Sequence, residues 1–131
     1  MQWLVDGMNV IGTRPDGWWR DRAAARRRIV EELARFARRE GVGRVTVVFD
    51  GRAVPDEIAA GTSAGIEVAF APGGPDAADR VIAGIADGAD DPSDLTVVTS
   101  DGALAVAVRA AGAEVVGAGT FRRLLEGRPA R

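Results

Sequence analysis

Short apolar runs alternate along this chain with longer stretches of helical periodicity. Trp3 to Val5 is a brief apolar run that stops at Asp6. Arg20 to Glu40 carries Ile29, Leu33 and Phe36 at the i, i+4, i+7 spacing of a helix face, with Val30, Ala34 and Ala37 beside them. Gly41 and Gly43 end it. Arg44 to Phe49 is β-branched and almost continuously apolar, the pattern of a strand covered on both faces. A polar stretch of Ala, Gly, Thr and Ser then leads to a third strand at Ile66 to Phe70. Pro75 to Ala86 predicts a helix, with proline in its first turn and Val81, Ile82 and Ile85 on one side. A strand at Leu95 to Thr99, a helix at Gly102 to Ala111 closed by Gly112, a strand at Ala113 to Val116 and a short helix at Phe121 to Leu125 complete the pattern.

Strands alternating with helices predict a parallel sheet with helices on both faces, a three-layer α/β/α sandwich. No repeat, low-complexity block or long linker divides the chain, so residues 1–126 are expected to form one domain and 127–131 a frayed tail. In sheets of this kind ligands bind beyond the carboxyl ends of the strands. Three Asp-Gly pairs follow predicted strands directly: Asp6-Gly7, Asp50-Gly51 and Asp101-Gly102. Singly, each is ordinary turn chemistry, and Asp101 is also a natural cap for the helix after it. Together at one sheet edge, with strands ~4.8 Å apart, they are expected to converge, and crowded carboxylates resist ionisation unless a cation joins them. Asp76 and Asp79, three apart in PDAAD, are placed on one face of the following helix's first turn. There they either favour the helix dipole or extend the cluster.

Composition narrows the chemistry of such a cluster. Among 131 residues there is no Cys, His or Lys; all 17 basic residues are Arg. That removes thiolate and imidazole metal ligands, Ser-His and Cys-His catalysis, Schiff-base lysines and the phosphate-loop lysine. Carboxylates, hydroxyls and a recruited ion remain, and hard oxygen donors select Mg²⁺ or Mn²⁺. The net charge of −2 does not describe a basic nucleic-acid binder, but the charge is uneven: ten Arg fall between Arg14 and Arg44, while Asp87 to Asp94 holds four Asp and no Arg.

Four segments, DGMNVIG at 6–12, VVFDG at 47–51, PDAADRVI at 75–82 and VVTSD at 97–101, stand in the order and spacing of a YacP-like NYN domain, a branch of the PIN-like nucleases. GAGTFRRLL fits that family's closing helix, so the chain resembles the family over nearly its whole length. The resemblance implies strand order 3-2-1-4-5, a Mg²⁺ or Mn²⁺ cofactor and an RNA substrate. It places Asp6, Asp79 and Asp101 at the acidic metal positions, Asn9 at the amide of the first motif and Asp50 at the second strand-end acid. Arg80 stands where relatives often carry another acid; it either weakens metal binding or contacts a phosphate.

The expectation is therefore a metal-dependent ribonuclease with Asp6, Asn9, Asp79 and Asp101 as its catalytic residues and Asp50 and Asp76 as further metal contacts. A non-catalytic RNA-binding module with this fold is the first alternative, and a small-molecule phosphohydrolase the second. Arg14, Arg20, Arg22, Arg26, Arg27 and Arg28, in and after the loop leaving the first strand, are candidate RNA contacts, because arginine near a helix N-terminus opposes the dipole and suggests another purpose; a solvated charged face is the competing reading, and Arg80 is a further candidate RNA contact. Trp18 and Trp19 either stack on unpaired bases or pack over the core edge. Thr99 and Ser100 are minor candidates for hydroxyl contacts and read first as strand and turn filler. No signal-like or membrane-spanning segment is visible, so no membrane partner and a cytoplasmic location are expected.

Overall fold

Successive strand residues in the computed structural model, which describes residues 1–127, point into two separate cores. Val45, Val47 and Phe49 face one side and Val48 the other; Leu4 and Val5, then Val97 and Val98, divide the same way. All are buried, which explains the near-continuous apolar runs: a period-2 strand covered on both faces has no polar side to show. The strands are β1 (Gln2–Asp6), β2 (Arg44–Asp50), β3 (Glu67–Ala71), β4 (Leu95–Val98) and β5 (Glu114–Val116), all parallel in the order β3-β2-β1-β4-β5. The order reverses at β1, so the crevice between β1 and β4 is the topological switch point.

Among the described residues six α-helices cover the sheet: α1 (Gly7–Ile11), α2 (Arg22–Ala37), α3 (Pro55–Ser63), α4 (Ala77–Asp87), α5 (Gly102–Ala110) and α6 (Ala118–Leu125). The first face carries the side chains of α1, α2 and α6, and Ile58 of α3 packs against the same core; Ile82 of α4 and Val108 of α5 fill the second. No helix among the described residues is long and apolar enough to cross a membrane. Of the tail expected at 127–131, all but Gly127 lies outside the described residues.

Several boundaries and one whole helix differ from expectation. The stretch after β2 is the helix α3, whose only large apolar residue is Ile58; Gly61 packs directly on Val68, so this helix seats through the absence of a side chain. The long helix begins at Arg22 rather than Arg20, because Trp18–Arg20 forms a 3₁₀ turn and Asp21 caps α2 by accepting from Ala24 N at 3.0 Å. In α4 only Ile82 of the three apolar residues is buried; Val81 and Ile85 are 38% and 40% exposed. Asp76 is not in the first turn but precedes it in left-handed conformation, φ 65°, at the end of the Gly73-Gly74 turn.

Gly7 is required by a close approach. A Cβ there would lie 2.5 Å from two ring carbons of Phe49, which is fully buried and cannot yield. Gly7→Ala is expected to cost roughly 1–3 kcal/mol by overpacking, read as a lowered urea midpoint.

Candidate active site

Strand register decides which side chains meet at the carboxyl edge. Val5 pairs with Val98, so the next residues, Asp6 and Thr99, stand level across the switch point. Asp6 also pairs with Val48, which leaves Asp50 two residues further out on β2, as Asp101 is beyond Thr99. Asp6 is thus the deep acid, 3% exposed, and Asp50, Asp79 and Asp101 form an outer rim.

Thr99 Oγ1 donates to Asp6 Oδ2 at 3.1 Å and accepts from Asp101 N at 3.1 Å. The side chain is 1% exposed and joins the buried acid to the loop that carries the outer one. Residue type alone does not separate Thr99 from strand filler; its place level with Asp6 comes from the strand register. Asn9 Oδ1 accepts from Ser100 N at 2.9 Å, so its amide clamps α1 to the loop between β4 and α5. Ser100 Oγ in turn accepts from Ala118 N at 2.9 Å, the start of α6. Ser100 is a tie between three elements, not turn filler.

The rim acids are positioned by backbone amides. Asp101 Oδ1 accepts from Leu104 N at 2.8 Å and caps α5. Asp50 Oδ1 accepts from Ala78 N at 3.0 Å, pinning the first turn of α4 to the end of β2. Capping therefore accounts for one oxygen of each. Asp79 makes no hydrogen bond through its side chain among the described residues, and it shares with Asp76, Arg80 and Asp101 the head of an open cleft of about 330 Å³ between α4 and α5. A larger groove of about 620 Å³ between α2 and α3 holds none of these acids.

Among the described residues none of these acids forms an ion pair. Burial pushes the Asp6 carboxyl up to about 6; the Thr99 hydroxyl opposes this, the Asp79 charge adds to it, the Asn9 backbone opposes it and the Asp50 charge adds again. Burial also raises Asp79, with the charges of Asp101, Asp76 and Asp50 adding and Arg80 opposing. The acids of β1, β2, α4 and the β4–α5 loop thus feel one another, but among the described residues no three of them meet as a ready-made cage for an ion. The donor chemistry fits a divalent cation that keeps part of its water shell, as Mg²⁺ does, and not a dehydrated site enclosed by carboxylates.

This arrangement of motifs on this sheet matches a known family: the YacP-like NYN domain, over residues 3–129. The chain belongs to that family. The NYN domain described here is similar to the crystal structure of a point mutant of Rae1 (YacP) from Bacillus subtilis, with a TM-score of 0.75 and 27% identity over 96% of this chain and 75% of that one. A second crystal structure of Rae1 (YacP) from Bacillus subtilis gives 0.69 and 25%, over 97% and 74%. No curated protein matches the chain.

Arg14 and Arg26, two of the arginines expected near this NYN domain's acids, are held in ion pairs elsewhere. Arg26 forms two hydrogen bonds with Glu57, at 2.7 and 2.9 Å, and lies over the Phe70 ring, so it locks α2 to α3. Arg14 binds Glu32 and Glu126, each at 3.3 Å. Arg27 lines the α2–α3 groove instead of the acidic cleft. Arg80 is exposed in that cleft and, among the described residues, forms one long side-chain hydrogen bond of 3.4 Å, to Gly73 O. Trp18 packs on the core edge beneath Arg22, while Trp19 is 53% exposed beside Arg20.

Proposed function

We propose that this NYN domain is a metal-dependent ribonuclease that hydrolyses RNA phosphodiester bonds at the carboxyl edge between β1 and β4. The observation that carries the reading is Asp6: a buried carboxylate at the switch point, without an ion-pair partner among the described residues and crowded by the charge of Asp79. A fold tolerates such a group when something else requires it. Family membership supports a nuclease, and the chain has no His or Lys to serve as base.

Asp6, Asp79 and Asp101 are the residues that would hold a divalent ion, with Asp50 and Asp76 at its margin. When bound, Mg²⁺ or Mn²⁺ supplies Lewis acidity toward a phosphoryl oxygen and lowers the pKa of water. Thr99 fixes the direction of the Asp6 oxygens and, through Asp101 N, the start of the Asp101 loop. Asn9 holds that loop against α1 by its carbonyl oxygen, which leaves its amide nitrogen for a phosphate or a water. Arg80 stands at the cleft head as the cation for a non-bridging phosphate oxygen.

Asp101→Asn separates catalysis from folding, since asparagine is as good a helix cap as aspartate. Wild type is expected to cut single-stranded RNA in Mn²⁺ or Mg²⁺ and to stop in excess EDTA; Asp101→Asn is expected to stay folded and lose the activity. A variant as active as wild type, or cleavage that survives EDTA, removes the proposal. Millimolar Mn²⁺ is also expected to raise the melting temperature of wild type, because the ion binds only the folded arrangement; a flat titration contradicts it. The second reading, an RNA-binding module without catalysis, is favoured by the capping of Asp50 and Asp101 and predicts binding with no cleavage under any metal.

A further inference from the structure

Between α1 and α2 the chain runs along the same edge of the sheet as the acids. α1 starts directly after Asp6, and Arg26, near the start of α2, lies over Phe70 close to the carboxyl end of β3. The Trp18–Arg20 turn is held at that edge, entered through Gly17 at φ 78°. Here two indoles and two guanidiniums form a ladder. Arg22 covers the Trp18 ring at 5.3 Å; Trp18 meets Trp19 edge-on, with centroids 5.9 Å apart and planes at 85°; Arg20 lies 5.8 Å from the Trp19 centroid.

The two tryptophans are not equivalent. Trp18 packs, half-buried, against the core that contains Ile29 and Phe49, whereas Trp19 is, among the described residues, the one aromatic that stays largely exposed. The acids nearby in sequence are already used: Asp21 caps α2 and Asp16 pairs with Arg28 at 3.0 Å. Neither Arg20 nor Arg22 forms an ion pair among the described residues. An exposed indole fixed by a half-buried one, with guanidiniums free of ion pairs on either side, presents an apolar π-face and positive charge to a ligand with a flat π-face and a negative charge next to it.

We infer that Trp19 is a stacking platform for an unpaired base of a single-stranded RNA, with Arg20 and Arg22 taking the adjoining phosphates. The inference rests on the nuclease reading for the identity of the strand. An aromatic platform accepts any base, because every base has a π-face, so little sequence preference comes from it. A duplex keeps its bases stacked internally and offers none to Trp19. The sequence alone left Trp18 and Trp19 open for this purpose; burial assigns it to Trp19.

Binding of a short labelled single-stranded RNA, followed by anisotropy in EDTA, tests this without turnover. Trp19→Ala is expected to weaken binding about tenfold, the usual effect of losing one stacked base. Trp19→Phe is expected to retain most of the affinity, and neither variant to change the melting temperature. Binding is expected to quench tryptophan fluorescence in wild type and to leave it unchanged in Trp19→Phe. Arg20→Ala is expected to lower the salt slope by about 0.7, one phosphate on a single strand. Duplex RNA is expected to bind wild type and Trp19→Ala alike. Unchanged affinity in Trp19→Ala, or quenching that persists in Trp19→Phe, overturns the inference. RNA that binds with this pattern but is never cut once Mn²⁺ is supplied removes the nuclease reading and leaves the platform standing.

Discussion

Asp6→Asn is expected to lose RNA cleavage by at least about 100-fold, more than the loss usual for a group that only supports a metal ligand, and at the same time to make the metal-free protein more stable at neutral pH. Burial lifts the Asp6 carboxyl from 3.8 to about 6. A carboxyl raised in this way holds its proton more tightly in the folded state than in the unfolded one. Its contribution to stability is therefore fully present below about pH 3.8 and is lost as pH rises through about 6. The gap of roughly two pH units corresponds to about 3 kcal/mol at neutral pH, at ~1.4 kcal/mol per unit. Asparagine accepts the same hydroxyl bond from Thr99 and carries no charge. Urea unfolding in EDTA is expected to show the variant ahead by about 1–3 kcal/mol at pH 7, with the advantage shrinking as pH falls toward 4. Mn²⁺ is expected to stabilise wild type and not the variant. A variant clearly weaker than wild type at pH 7, or an advantage independent of pH, would show that Asp6 is not a charge held against the preference of the fold.

The second large effect concerns a buried ion pair between α6 and α2. Arg122 is 7% exposed and its Nη1 lies 2.7 Å from Glu32 Oε2, joining α6 to α2; Arg14 reaches the same oxygen, and Arg122 Nε donates to Thr13 Oγ1 at 3.3 Å. Removing only the carboxylate leaves a buried guanidinium facing nothing negative, which costs about 3–5 kcal/mol. Glu32→Ala is expected to lower the urea midpoint accordingly, while Glu32→Leu combined with Arg122→Met recovers most of the loss, because an apolar pair of similar volume needs no desolvation repaid. A change of under about 1 kcal/mol in Glu32→Ala would class the pair with exposed salt bridges, whose worth is small.

The strands were legible in the sequence because burial on both faces leaves long β-branched runs such as RVTVVF, and the loops because Asp-Gly and Gly-Gly mark turns. The helix α3 was not: its packing relies on Gly61 against Val68, and a contact made by a missing side chain leaves no hydrophobic period. α1 was hidden by its length of five residues, directly abutting β1. Val81 and Ile85 fit a helical period with Ile82, but the period does not say which face the sheet covers. At the site, residue types indicated the acids and nothing indicated their depth. Asp6, Asp50 and Asp101 look alike as strand-end aspartates; a two-residue offset in register makes the first buried and the others caps. Thr99 is the residue this cost most. Two of the arginines are tied down for a related reason the sequence does not show: their partners, Glu57 for Arg26 and Glu126 for Arg14, come from elements distant in sequence.

The most direct test is a crystal of the domain soaked in Mn²⁺ and examined by anomalous scattering. The account predicts a peak bounded by the carboxylates of Asp6, Asp79 and Asp101, with water completing its shell and the free oxygen of Asp101 turned toward it. Crystals that show no peak there, with Asp101 still spent on Leu104 N and Asp6 still answered only by Thr99, would contradict it.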